Sequence, residues 1–144
     1  MTYQYIAYVS VANEPPSQED IDVLLPNASK FNIKHEITGV LLCHKNTFFQ
    51  FLEGSPENLA LVYERIKNSK LHHHILELTN TKSEMRYFKT WSMGFCYIPK
   101  SEMQELIHAE WVKQIPTVNK YASDSVGIKM LKEFWARLGE KIKS

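Results

Sequence analysis

Residues Tyr3 to Ser10 alternate strictly, with Ile6, Tyr8 and Ser10 on one face and Tyr5, Ala7 and Val9 on the other. Apolar side chains on both faces predict a strand buried from both sides, the central strand of a sheet. Pro15 and Pro16 end it, and Ser17 with Asp20 opens a helix whose apolar stripe is Ile21, Leu24, Leu25, Ala28 and Phe31. Pro26 kinks or splits that helix. Two further apolar runs, Gly39 to Cys43 and Phe48 to Leu52, flank the polar His44-Lys45-Asn46-Thr47 and read as a hairpin.

Ser55 followed by Pro56 is a helix start, and Leu59, Val62, Tyr63 and Ile66 keep helical spacing as far as Lys67-Asn68-Ser69. His74 to Thr79 and Ser92 to Ile98 predict a fourth and fifth strand, joined by a segment carrying Arg86, Phe88 and Trp91. Pro99 ends the sheet; Ser101 with Gln104 caps a short helix striped by Met103, Leu106, Ile107 and Trp111, which Pro116 stops. A last helix from about Ser125 places Val126, Met130, Leu131, Phe134, Leu138 and Ile142 on one face. The order β-α-β-β-α-β-β predicts an α+β, ferredoxin-like sheet with two helices on one face and a C-terminal helical cap on the other. Residues 1–98 form the core and 99–144 an extension packed on the same domain.

The chain has 144 residues, 44% of them hydrophobic and 12% aromatic, enough for one domain with a core that needs neither disulfide nor metal. A net charge of +1 gives nucleic-acid binding no electrostatic support. Cys43 and Cys96 form no CxxC and read as reduced thiols. Met1 leads directly into strand-like sequence, without a signal peptide or long apolar run, so an untargeted cytoplasmic protein with no membrane contact is expected.

Tyr8 and Gln50 are the first candidates for chemistry. The topology sets strands one and three side by side, and Gln50 interrupts the apolar Phe48-Phe49-Gln50-Phe51-Leu52. A buried amide needs partners, can donate and accept at once, and reverses that role on flipping; a phenol yields both a proton and an electron. The pair suits a light-driven hydrogen-bond switch beside a redox-active ring, or equally a structural hydrogen bond in the core. Asn32, just past helix one, and Arg65, on helix two, could bond the polar edge of a flat heteroaromatic, or serve as an ordinary C-cap and a dipole-complementing cation. His72, His73 and His74 offer at most two ligands on one face, with no carboxylate or cysteine to complete a metal site. No phosphate loop, GxSxG or HExxH motif occurs.

Taken together and in order, Tyr8-Val9-Ser10, Asn32, Ile37-Thr38-Gly39-Val40-Leu41-Leu42, Phe48-Phe49-Gln50-Phe51-Leu52-Glu53-Gly54, Arg65-Ile66, Arg86-Tyr87-Phe88 and Trp91-Ser92-Met93-Gly94-Phe95 resemble the BLUF domains, which bind flavin, usually FAD. The resemblance implies a blue-light photoreceptor and not an enzyme. It makes Tyr8 the electron and proton donor to the excited flavin and Gln50 the amide that rearranges between them. Asn32 and Arg65 would hold the polar edge of the ring, Ile37, Phe48 and Ile66 its apolar walls, with Ser10 beside Tyr8 in the site. Trp91 and Met93 on strand five would relay the change.

Two positions depart from the family pattern. Leu71 stands where an arginine commonly helps to meet the flavin phosphates, leaving Lys70, His72 and Asn68 as substitutes without bidentate geometry, so weaker FAD retention and tolerance of FMN are expected. Glu36 stands where a glycine often precedes Ile-Thr-Gly. With no enzymatic segment after the sensor, the expected output is a light-dependent contact with a downstream protein or another copy, as a homo-oligomer. Trp111, Phe134 and Trp135 could form the contact surface or belong to the core. The alternatives are an RNA-binding ferredoxin-like module, suggested by the element order and by exposed-looking aromatics on strand three, and a flavin-dependent reductase. The first lacks an RNP1 pattern and the second an acid, base or nucleophile cluster.

Overall fold

A computed structural model describes residues 2–12, 27–44, 47–69, 72–88, 95–97 and 113–143. Five strands, β1 (Tyr3–Ala12), β2 (Thr38–His44), β3 (Thr47–Gly54), β4 (His72–Ser83) and β5 (Phe95–Tyr97), form one sheet in the order β4-β1-β3-β2-β5. All neighbours are antiparallel except β2 and β5, which run parallel. The middle position belongs to β3 and not, as the alternation predicts, to β1. Both are interior strands, and two-sided burial does not distinguish them.

The alternation of β1 and β3 builds two separate cores. Ile6 and Leu52 pack with Ile37 and, from helix α2 (Pro56–Lys67), with Leu59 and Val62. Tyr5, Ala7, Phe49 and Phe51 point the other way and pack with Val118 of helix α3 (Ile115–Tyr121) and with Ile128 and Leu131 of helix α4 (Val126–Lys143). The C-terminal helices therefore cover the face left bare by the first two, as the stripe on α4 requires. Gly127 lets α4 approach closely, because a Cβ there would lie 2.7 Å from the Phe51 ring and 2.9 Å from the Tyr5 ring.

Helix α1 spans residues 27–34 of the described chain. It closes in a Schellman arrangement: the Ile37 amide donates to the Asn32 carbonyl at 2.8 Å and the Glu36 amide to the Ile33 carbonyl at 3.1 Å. Such a close requires a left-handed residue at the turn, and Glu36 supplies it with φ 55. That geometry explains why glycine is the usual occupant of this position. Asn32 consequently lies in the last turn of α1 and not beyond it. Helix α2 starts as expected, with the Ser55 hydroxyl accepting the Asn58 amide at 3.3 Å and Pro56 in the first turn.

Three elements differ from expectation. Strand β4 runs from His72 to Ser83, longer at both ends than His74 to Thr79, because it is an edge strand whose outer residues are polar and exposed. Pro116 lies inside the first turn of α3, where its missing amide costs nothing. The aromatics of β3 are not exposed: Phe49 is buried and stacks on Phe134 at 5.2 Å, and Phe51 is sealed under α4. This removes the stacking surface that an RNA-binding module would need. The helix expected over Ser101 to Trp111 lies outside the described residues.

Candidate functional site

Antiparallel pairing sets Tyr8 directly opposite Gln50. Opposed side chains share a face of the sheet, so the phenol reaches the amide, and Tyr8 Oη donates to Gln50 Oε1. The pair is sealed, with Tyr8 2% and Gln50 8% exposed. Burial, and secondarily the neighbouring Tyr63, push the Tyr8 phenol far above its ordinary range, so it stays protonated at any physiological pH. With Oε1 engaged, the Gln50 NH2 group has no acceptor among the described residues. A buried donor left unsatisfied costs about 1–3 kcal/mol. A flavin carbonyl or ring nitrogen placed beside this group would supply an acceptor.

Around this pair the sheet face is tied to the helix layer through His72. Its Nε2 lies 2.9 Å from the Ile66 carbonyl, an acceptor only, so Nε2 carries the proton. In the neutral ring Nδ1 then accepts, and Ser10 Oγ donates to it at 2.7 Å. The imidazole also packs edge-on to Phe48, with centroids 6.1 Å apart, and beside Tyr8 at 6.2 Å. The register of β1 against β4 shifts between Val9 and Val11, and His74 in that stretch has φ 53; this irregularity surrounds Ser10.

The helix layer brings the remaining candidates together in part. Asn32 is buried, held by the Schellman close, and the Arg65 guanidinium lies 4.1 Å over the ring of Phe31, the residue before Asn32. Ile37 is buried, and Ile66 packs partly buried on the same core. Asn68 is different: it caps α2, is exposed, and directs its amide to Glu64 at 3.4 Å. Trp91 and Met93 lie outside the described residues. Among those described, no cluster of histidine, cysteine and carboxylate could hold a metal.

Two features escaped the sequence reading. Glu53, which reads as a strand terminator, is 1% exposed and accepts the amides of Phe88 at 2.6 Å and Tyr87 at 2.7 Å and the Thr38 hydroxyl at 3.1 Å. Arg86 donates to Thr38 Oγ1 at 3.0 Å and to the Glu36 carbonyl at 2.9 Å. Burial raises the Glu53 carboxyl above its usual range and outweighs the opposing effect of these bonds and of Arg86. Tyr63, expected only as part of an apolar stripe, has its ring 5.9 Å from that of Tyr8, and burial, with the nearby Glu77 charge second, raises its phenol to about 12.

Comparison with known proteins agrees with this geometry. The family model described as sensors of blue-light using FAD matches residues 3–94. The blue light- and temperature-regulated antirepressor BluF of Escherichia coli (strain K12) is 26% identical over 108 residues, covering 75% of this chain and 27% of that protein. Klebsiella pneumoniae BlrP1 solved with FMN and cyclic diGMP superposes with a TM-score of 0.61 at 29% identity, over 74% of this chain and 29% of that one. A bacterial light-regulated adenylyl cyclase does so with a TM-score of 0.63 at 28% identity, over 83% and 36%. This chain therefore spans about a third or less of the length of these relatives. From its family match, its fold and its paired tyrosine and glutamine, the chain belongs to the BLUF family of flavin-based blue-light sensors.

Proposed function

We propose that this chain is a blue-light receptor whose switch is the Tyr8–Gln50 hydrogen bond, with a flavin between α1 and α2 reading its state. The observation that carries this is the buried Gln50 amide, which accepts from Tyr8 and has its own donors unsatisfied among the described residues. A bound flavin would supply blue-light absorption and, excited, an acceptor for one electron. Tyr8 is the donor. An oxidised phenol is a strong acid, and its hydrogen bond leads to Gln50 Oε1, so the proton leaves along that contact. Gln50 then offers a changed set of donors and acceptors, and a flavin carbonyl that received a stronger bond from it would absorb further to the red.

Asn32 and Arg65 hold the polar edge of the ring, and Ile37, Phe48 and Ile66 its flanks. Ser10 and His72 keep β1, β4 and the end of α2 in register beside Tyr8, which makes them supports of the site. The family's cofactor is FAD; FMN is accepted as well in this reading, since Asn68 is turned to Glu64 and both His72 nitrogens are engaged within the protein. Residues 1–98 act as the flavin-binding core and 99–144 as an extension of the same domain. The output is a light-dependent contact with a separate protein or a second copy of the chain, in the cytoplasm and without an enzymatic step. Among the described residues no helix is long and apolar enough to cross a membrane.

An absorbance spectrum before and after blue light tests the reading. A flavin spectrum that shifts red and recovers in darkness is expected; purified protein that takes up no flavin on reconstitution overturns it.

A further inference from the structure

The sequence holds two cysteines, Cys43 and Cys96, with β3, α2 and β4 lying between them in the chain. The fold makes them neighbours. Strands β2 and β5 run parallel, and their register sets Leu42 against Phe95, Cys43 against Cys96 and His44 against Tyr97. Adjacent strands lie about 4.7–4.9 Å apart, inside the Cα separation of about 4.4–6.8 Å that a disulfide spans. Positions opposite one another in a register belong to the same face of the sheet.

The register continues across the sheet. Cys43 is opposite Phe48 on β3, and Phe48 is opposite Ser10 on β1. Ser10, Phe48, Cys43 and Cys96 therefore occupy one row, two positions along from Tyr8 and Gln50 and on the same face as they are. Strand β5 stands at the edge of the sheet and has three residues, of which Cys96 is the middle one. So short a ladder does little to hold its own register. A slip of one residue would move Cys96 to the opposite face and away from Cys43, so a bond between the two can form in the register seen here and would then fix it.

We propose that Cys43 and Cys96 form a reversible disulfide that clamps β5 onto β2 when the surroundings turn oxidising, with a small-molecule disulfide of the glutathione class as the oxidant. The thiolate of one cysteine attacks a sulfur of the oxidant and expels one small thiol, leaving a mixed disulfide. The thiolate of the other attacks the protein sulfur of that bond and expels the second small thiol. The two cysteines give up two protons and two electrons, and the oxidant takes them up as two thiols. An excess of small thiol runs the same steps backwards. Once closed, the bond encloses β3, α2 and β4 in a covalent loop, so it constrains the unfolded chain over much of its length. In a reducing compartment the pair stays open, and its closure registers a rise in oxidant. The clamp acts whether or not a flavin is bound, so it stands apart from the light switch.

The test takes the full chain, reduced and then equilibrated over a series of ratios of oxidised to reduced glutathione. Free thiols are counted, the intact mass is measured, and peptides are mapped without reduction. The expected result is loss of both thiols in one step with no added glutathione mass, and a link within one chain between the peptide holding Cys43 and the peptide holding Cys96. The thermal midpoint of the oxidised protein should rise by about 10 °C and fall back on addition of dithiothreitol. Cys43→Ser and Cys96→Ser should each abolish that rise. Glutathione adducts alone, chains linked to one another, thiols that survive the most oxidising ratio, or a bond that forms without raising the midpoint would each overturn the clamp. Mass and thiol count are read on the wild type, so the outcome does not depend on either variant folding.

Discussion

The Glu53 carboxylate accepts the Phe88 amide proton at 2.6 Å, across thirty-five positions of chain and within a site closed to solvent. It also accepts from Tyr87, so one side chain at the end of β3 fixes the segment that follows β4. Glu53→Gln keeps the size but replaces one acceptor oxygen with a donor facing a backbone N–H. A loss of about 1–3 kcal/mol is expected in denaturant unfolding; a loss below about 0.5 kcal/mol would mean the segment is held by other contacts.

The same carboxyl sets a pH dependence. Its folded-state affinity for a proton is raised by burial above the ordinary carboxylate value of about 4.3. The folded state therefore binds that proton more tightly than the unfolded chain. The stability Glu53 contributes is full below the ordinary value and is lost as pH rises through the folded one. The difference in thermal midpoint between wild type and Glu53→Gln should shrink as pH is raised from that value toward neutrality. A difference that grows instead would show the charge to be well solvated in the fold.

Tyr8→Phe removes the donor to Gln50 without removing ring volume. The variant should bind flavin, give no normal red shift on illumination, and lose about 1–3 kcal/mol of stability because the amide oxygen is left unpaired. A complete wild-type photocycle in this variant would exclude Tyr8 as the donor.

Glu36 occupies a left-handed position, φ 55, that closes α1 directly before Ile37. A non-glycine residue there costs about 1–2 kcal/mol, offset in part by the unfolded-state entropy of glycine, about 0.5–1 kcal/mol. Glu36→Gly should stabilise the protein by up to about 1 kcal/mol, read as a higher urea midpoint with unchanged slope. A lower midpoint would place more weight on the Glu36 side chain than its exposure suggests.

Flavin selectivity follows from how the end of α2 is occupied. Asn68 is bonded to Glu64, Lys67 pairs with the same residue, and His72 spends both nitrogens on Ser10 and Ile66. No dedicated diphosphate clamp is present among these residues, so FAD and FMN should bind within about tenfold of each other, a gap of roughly 1.4 kcal/mol. Mass spectrometry of extracted flavin and titration of the apoprotein check this; strict retention of FAD against excess FMN would refute it.

Much of the architecture was legible because burial on two sides leaves a strong signature. β1, β3 and α2 follow directly from their apolar patterns and from Ser55-Pro56. β4 was only half visible, since an edge strand carrying Asn80, Thr81, Lys82 and Ser83 has no reason to alternate. Helix α3 was hidden because proline reads as a stop unless its place in the first turn is known. Within the site, Tyr8 and Gln50 stood out as polar interruptions of apolar runs. Glu53 and Tyr63 did not, because an acid after a strand and a tyrosine in a helical stripe are ordinary; only the fold brings Thr38, Tyr87 and Phe88 to the one and Glu77 to the other. Glu53 lay beside a sequence signal all the same, an acidic residue closing an otherwise apolar run.

The strict alternation of β1 and β3 gives the sheet the character of a partition one residue thick. Tyr8 and Gln50 face one compartment, while their immediate chain neighbours Ala7, Phe49 and Phe51 form the floor on which α4 rests. Gln50 is a single peptide bond away from each of the rings beneath the cap, so the two compartments share one stretch of backbone. It also means that the two sides are separately editable. The positions facing the cap can be rewritten to seat a different attachment while those facing the chromophore stay untouched, which makes such a sheet a portable component for longer chains.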